Sequence, residues 1–297
     1  MAIKSYGLTE YLRAEFSSGE AILEGLMYKG QNLLFVAKRK AAKTIFSLQL
    51  ALSVSTGAPF LETWVCAKPR RVCYFAFEGT DADLQQILTR LLAGMKLSDT
   101  GLLSIHRVPF LRLHQPASVL ALQTVLDREH PDLLVLDPYY RLHAGSVNDD
   151  DAVARTTDVL NLLTAQYGHA TWLPHHEHRV RHDTFGTEYE DDAEKYSGSW
   201  VFGAWCDSMY GFRFDHKGKK ASFSAHFERT PRMEKAVQLT LHDTPEELLF
   251  LPSLEQRLGQ AASRGELDGR SLRNIGKEYE AHPEQVRRAL KASQEKE

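Results

Sequence analysis

Lys43-Thr44 stands at the head of a helix-like run, Ile45 to Val54, and just behind an apolar strand-like run, Leu33-Leu34-Phe35-Val36. An ammonium and a hydroxyl at such a junction can hold a polyphosphate. The lysine serves as a point charge on the outer phosphates, and the hydroxyl as a ligand of Mg2+. The eight residues Ala37, Lys38, Arg39, Lys40, Ala41, Ala42, Lys43 and Thr44 follow the pattern G-x-x-x-x-G-K-[ST], except that alanine replaces both glycines. A loop of this kind aims successive backbone N–H groups at the anion from the positive end of a helix. Glycine serves there because it turns through positive φ freely, whereas an L-residue in left-handed geometry costs about 1–2 kcal/mol. The same octet also reads as a lysine-rich solvated loop before an ordinary helix.

Downstream residues bear on that choice. Leu133-Leu134-Val135-Leu136-Asp137 is an apolar strand ending in an acid, which places a carboxylate where it reaches Mg2+ across a sheet crevice. Glu78 ends the strand Val72–Phe77 and can polarise an attacking water. It can equally be a helix N-terminal acid, since Glu78-Gly79-Thr80-Asp81 has the composition of a cap. His175-His176 ends the strand that begins at Ala170. His176 can sense a terminal phosphate, His175, His176, His178 and His182 can cluster on a metal, and both strand-end imidazoles can simply bond to backbone. Arg179 and Arg181 follow; arginine stabilises charge in phosphoryl transfer, and on a polar loop it also serves as a solvated side chain.

The elements that must position these groups alternate. Strand-like runs at 32–37, 72–77, 102–105, 133–136 and 170–174 are separated by helix-like runs at 43–56, 81–95, 117–129 and 152–167. This is the order of an α/β doubly wound, mostly parallel sheet. An amphipathic helix from Leu8 and a strand over Ala21–Met27 precede it, and β-type segments follow at 208–214, 221–227 and 236–241. Residues 179–195 lack an apolar period and read as a loop. The expected division is a lead-in segment at 1–20, a core at 21–245 and a small C-terminal helical domain at 251–297.

Composition sets limits. At 297 residues, with 43% apolar and 25% charged residues, the chain suits a globular α/β domain with a small appendage. A net charge of −3 supplies no general attraction for nucleic acid, so any such contact must be local. No apolar run approaches the roughly 20 residues that span a bilayer. Three cysteines without C-x-x-C spacing fit a reducing cytoplasmic setting, with the thiols structural.

In the tail, Ser271–Tyr279 and Pro283–Lys291 form a helix-turn-helix pattern. Leu272, Ile275, Tyr279, Val286 and Leu290 point inward, and Gln285, Arg287, Arg288 and Lys291 are free to face duplex DNA. A helical hairpin packed on the core or on a neighbouring subunit is the alternative.

Taken in order, the stretches Leu23–Leu26, Ser47–Leu52, Thr56–Leu61, Phe75–Glu78 with Arg90, Leu136–Leu142, His175-His176 and Ser197–Ser199 with Asp207 resemble the RecA-like ATPases. They are most similar to the RepA-type replicative helicase family, over about residues 20–215. The resemblance implies a RecA-like core that binds ATP and Mg2+ at the interfaces of a homo-oligomeric ring, commonly a hexamer. Single-stranded DNA would pass along the inner loops, in replication or maintenance of a plasmid, phage or other mobile element. It assigns Lys43 and Thr44 to phosphate and Mg2+, Asp137 to Mg2+, Glu78 to catalysis, His176 to sensing and Arg179 to the basic position after the histidines. It also marks departures: Ala42 stands where the family keeps glycine, Gly79 where it has an acid, and Trp200, Phe202 and Trp205 where it has small residues. A RecA-fold adaptor for DNA or protein that no longer hydrolyses nucleotide is the alternative to an active motor. A DNA-binding regulator run by the tail is the third.

Overall fold

Runs of four to six consecutive apolar residues are what a strand needs when both of its faces are covered. The computed structural model describes residues 5–14, 19–98, 101–177, 199–228, 233, 236–279 and 281–294. In it β3 (Asn32–Ala37), β4 (Val72–Ala76) and β6 (Leu133–Asp137) are buried at every position. Period-two alternation sorts their side chains between two cores. Leu33 and Phe35 join one with Phe46, Tyr74 and Trp172, whereas Leu34 and Val36 join the other with Phe75, Leu136 and Leu173.

Among the described residues one sheet has nine strands in the order β11-β10-β9-β8-β3-β7-β6-β4-β5. The other members are β5 (Leu103–Arg107), β7 (Ala170–His176), β8 (Ser208–Asp215), β9 (Lys220–Glu228), β10 (Val237–Asp243) and β11 (Leu248–Pro252). From β8 through β5 the pairing is parallel, and from β8 to β11 it is antiparallel. Helices α2 (Lys43–Thr56) and α3 (Asp81–Gly94) cover one face, and α4 (Pro116–Glu129) and α5 (Asp150–Tyr167) cover the other. The mostly parallel α/β architecture is the one expected.

Three details differ from the sequence reading. Ala21–Met27 is not one strand: β1 (Ala21–Leu23) and β2 (Met27–Tyr28) form a hairpin whose turn carries Gly25 at φ +78°. The strand read over 170–174 extends to His176, so the histidine pair forms the last two residues of β7. The sheet continues to Pro252, because β11 pairs along β10 and the Gln49 side chain grips both the N–H and the C=O of Phe250, at 2.7 and 2.8 Å.

The short α1 (Leu8–Arg13) precedes the sheet, and α6 (Val201–Trp205) lies between β7 and β8. Phe202 and Trp205 are core residues, while Trp200 is 58% exposed and donates to Asp150. After the sheet, α7 (Leu254–Ser263), α8 (Leu272–Glu278) and α9 (Pro283–Gln294) enclose their own small core of Leu258, Ala261, Leu267, Ile275, Val286 and Ala289. Gln285, Arg287, Arg288 and Lys291 are exposed, with Arg287 and Arg288 beside Glu284.

Candidate nucleotide site

The carboxyl ends of β3, β7, β6 and β4 lie side by side, because β3→α2→β4 crosses over β7 and β6 and the chain then fills the gap between them. Ligands of open α/β sheets collect at such a switch point. The pairing register sets Ala37 against His176, and Ala76 against both Asp137 and Arg107.

Ala37 is the last strand residue. It is paired on both sides, with His176 and with Phe212, in ordinary extended backbone. The first missing glycine therefore carries no conformational penalty. Ala42 differs: it caps α2 at φ 56°, ψ 27°, in the left-handed region, and Lys40 also has φ 62°. The chain thus follows a path that favours glycine, with an alanine Cβ and a lysine side chain on it, and positions of this kind cluster at functional sites. Lys38, Arg39 and Lys40 are exposed and basic, and Ala41 is buried.

Lys43 is 6% exposed, and its ammonium donates to the carbonyls of Lys38 at 2.8 Å and Ala37 at 3.3 Å. Burial lowers its pKa to about 8, against the opposing attraction of Asp137 and Glu78. Thr44 Oγ1 donates to Asp137 Oδ2 at 2.8 Å, and the buried Tyr74 hydroxyl donates to the same oxygen at 2.7 Å. Burial raises the Asp137 pKa, while these two donors and Lys43 hold it down. A hydroxyl and a carboxylate oxygen in direct contact, beside a buried ammonium, are the hard donors that suit Mg2+. The residues therefore fit that ion.

Glu78 lies just past β4. It is exposed, and Arg141 approaches its Oε1 at 3.3 Å. Its loop is held by a residue that the sequence reading missed. Arg107, the last residue of β5, donates Nη1 to the carbonyls of Ala76 and Glu78, both at 2.8 Å, and Nη2 to that of Gly79 at 2.6 Å. Its Nε bonds Asp81 Oδ1 at 2.8 Å. No local motif marks Arg107, because it acts across strands and on backbone. The Glu78-Gly79-Thr80-Asp81 cap is also real: Thr80 caps α3, and Glu78 precedes it.

The histidine pair divides. His175 packs on Tyr139 and Phe202, in the core beneath α5 and α6. His176 stacks on Tyr140, and burial, with the charges of Lys43 and Arg39, lowers its pKa to about 4. His176 Nδ1 meets no hydrogen-bond partner among the described residues. Adjacent residues of a strand face opposite ways, so the pair cannot jointly hold a metal. Among the described residues the His/Cys/Asp/Glu grouping able to do so lies elsewhere. Arg179, Arg181, His178, His182 and the 179–195 segment fall outside the described residues.

A cavity of about 340 Å³ opens beside Lys38, lined by Phe212, Arg213, Phe214 and Gln238 among others.

With the fold and these positions in hand, the signature of the AAA domain family matches residues 7–182. The chain belongs to that family. No protein of curated function matches this AAA domain chain in sequence. Its fold is similar to that of the RadB recombinase, with a TM-score of 0.52 at 13% identity over 74% of this chain and 90% of the other. A second solved structure, an ATPase domain, gives 0.53 at 12% identity over 75% and 85%. A KaiC-like protein from Pyrococcus horikoshii OT3 gives 0.50 at 13% over 78% and 94%. These likenesses establish a RecA-like P-loop fold.

Proposed function

We propose that this AAA domain protein is an ATP-hydrolysing motor that acts on DNA, of the RepA-like type. The observation that carries the reading is the contact of Thr44 with Asp137 beside the buried Lys43. It joins residues 93 apart in the chain into a phosphate and cation site at the switch point. Lys43 leaves its loop carbonyls to meet the outer phosphates, and Thr44 and Asp137 hold Mg2+. When bound, that ion neutralises charge developing on the transferred phosphoryl group. Glu78 orients the attacking water and accepts its proton, and Arg107 fixes the backbone from which Glu78 projects. His176, neutral at physiological pH, offers a ring nitrogen as sensor of the terminal phosphate. The cleft beside Lys38 takes the base against Phe214.

The ring, the single-stranded DNA path and the mobile-element setting belong to the same proposal. They rest on the resemblance of the sequence to the RepA-type family, while the RecA-like fold shared with a recombinase and an ATPase domain supports the ATP-driven motor. Arg179 is proposed as the basic group near the terminal phosphate, and helices α7–α9, which follow the sheet from Leu254, as a unit whose exposed Arg287, Arg288 and Lys291 meet duplex phosphates.

Turnover of Mg-ATP, with and without single-stranded DNA, tests this reading for the unmodified chain beside Lys43→Ala and Glu78→Gln. Turnover that falls at least about 100-fold in both variants supports it. One observation favours the rival adaptor without turnover: the Ala42 Cβ in a glycine-type backbone position. An unmodified chain that binds no Mg-ATP, while Ala42→Gly does, would establish the adaptor and sink the motor.

A further inference from the structure

Cys73 on β4, His106 on β5 and Glu129 at the end of α4 bring a thiol, an imidazole and a carboxylate together, one ligand atom of each lying within 4.8 Å of the others. Cys73 Sγ is 3.0 Å from Glu129 Oε2, and His106 Nε2 is 3.3 Å from the same oxygen. Ligand atoms of a tetrahedral zinc centre, with bonds of about 2.0–2.3 Å, stand roughly 3.3–3.8 Å apart. The Cys73 Sγ–Glu129 Oε2 pair must open by a few tenths of an ångström, and Cys73 Sγ and His106 Nε2, which lie within 4.8 Å, close by at most about 1 Å through side-chain rotation.

We propose that Cys73, His106 and Glu129 form a binding site for one divalent cation of the Zn2+ class, with solvent as fourth ligand. The donor set decides the ion: one sulfur and one nitrogen select a borderline-soft metal over Mg2+. Two paired strands and the end of a helix supply the ligands: Cys73 and His106 sit at diagonal positions of the β4–β5 pair, Cys73 opposite Ser104 and His106 opposite Phe75, and Glu129 comes from α4. Outer contacts restrict two of the three ligands. Arg128 bonds Glu129 Oε1 at 2.6 Å, leaving Oε2 to the ion, and the His106 ring stacks on Phe75 at 4.6 Å between centroids. On binding, the Cys73 thiol releases its proton to solvent and the sulfur–metal bond replaces its hydrogen bond to Glu129. No electron is transferred.

The site is separate from the nucleotide position. Cys73 lies three residues, about 10 Å, back along β4 from Ala76, and its donors differ from the all-oxygen pair Thr44 and Asp137. Its place gives it a structural consequence. β5 is the edge strand, and His106 directly precedes Arg107, so an ion here ties the edge strand and α4 to β4 at the root of the Arg107 grip.

Titration of the chelator-treated full chain with Co2+ alone tests the proposal. The expected result is saturation at one equivalent, with a sulfur-to-cobalt charge-transfer band and the intense visible bands of a four-coordinate ion, all displaced by Zn2+. Cys73→Ser should abolish the charge-transfer band, while Cys66→Ser and Cys206→Ser retain it. His106→Ala, which keeps the thiol, should weaken Co2+ binding at least about tenfold, and covers the case in which Cys73→Ser does not fold. A folded wild-type chain without the band overturns the site and leaves a hydrogen-bonded trio. So does a band that survives in Cys73→Ser, or an affinity unchanged in His106→Ala.

Discussion

The 37–44 loop and the Glu78 loop leave the same edge of one sheet, with β7 and β6 between their strands, yet they are held in opposite ways. The first is fixed from within. Its lysine is buried and bonded to the loop's own carbonyls, and Ala42 occupies a left-handed turn that alanine disfavours. The second is exposed, contains the permissive Gly79 at φ +73°, and is gripped from outside by Arg107 through three carbonyls and one carboxylate. The contrast teaches that a loop with alanine at both of its glycine-type positions can still hold a left-handed turn. Burial and strand pairing of its flanks keep the path, whereas the glycine-bearing loop is held by an external clamp, as the water-orienting role proposed for Glu78 requires.

Removing the charge from the inner loop should have the largest effect. Lys43→Ala is expected to weaken binding of a fluorescent ATP analogue at least about 100-fold, since charge-assisted hydrogen bonds to phosphate contribute about 1.5–3 kcal/mol each. Unchanged affinity would mean that this loop does not hold phosphate. Loosening the outer clamp should act on turnover instead. Arg107→Ala is expected to lower kcat about tenfold with KM for ATP within about twofold. Arg107→Lys should recover only part, because an ammonium cannot fork to four acceptors. Equal changes in kcat and KM would show that Arg107 serves binding or general stability.

The inner loop should also show a pH signature. Burial places the Lys43 pKa at about 8, well below the ordinary 10.5, so the free site loses its proton above about pH 8. Bound phosphate favours the ammonium. Nucleotide binding must therefore take up protons above that pH, with affinity level below it and falling about tenfold per pH unit above it until the bound-state pKa is reached. Calorimetry in buffers of different ionisation heat reads the proton uptake directly; none at about pH 9 would contradict the buried-lysine account. The smallest effect belongs to Ala42→Gly. Relief of about 1 kcal/mol of left-handed strain is offset by roughly 0.5 kcal/mol of added freedom in the unfolded chain, which leaves a net gain near ~0.5 kcal/mol in urea unfolding. Nucleotide affinity should stay within about threefold. A rise beyond about tenfold would show the Ala42 Cβ in the path of the phosphate.

Much of this was legible in the order of residues. The basic loop at Lys43-Thr44 and the acid at Asp137 were legible because strand–loop–helix context and a strand-terminal acid are local patterns, and the apolar run before Asp137 is the fully buried strand β6. The end of the sheet was harder to see. Leu248–Pro252 looks like the approach to a helix until Gln49, 201 residues away from Phe250, takes its backbone.

The sequence by itself determined the alternation of strands and helices, the charge at the loop and the acid that answers it, since each depends on neighbours within about ten residues. The tertiary structure alone decided that Ala37 needs no glycine and Ala42 sits where one belongs. It also decided that His175 and His176 part company, that Arg107 holds Glu78, and that Cys73 meets His106 and Glu129. These depend on which strands lie side by side and in what register, and a crossover that places β7 and β6 between β3 and β4 leaves no local trace in the chain.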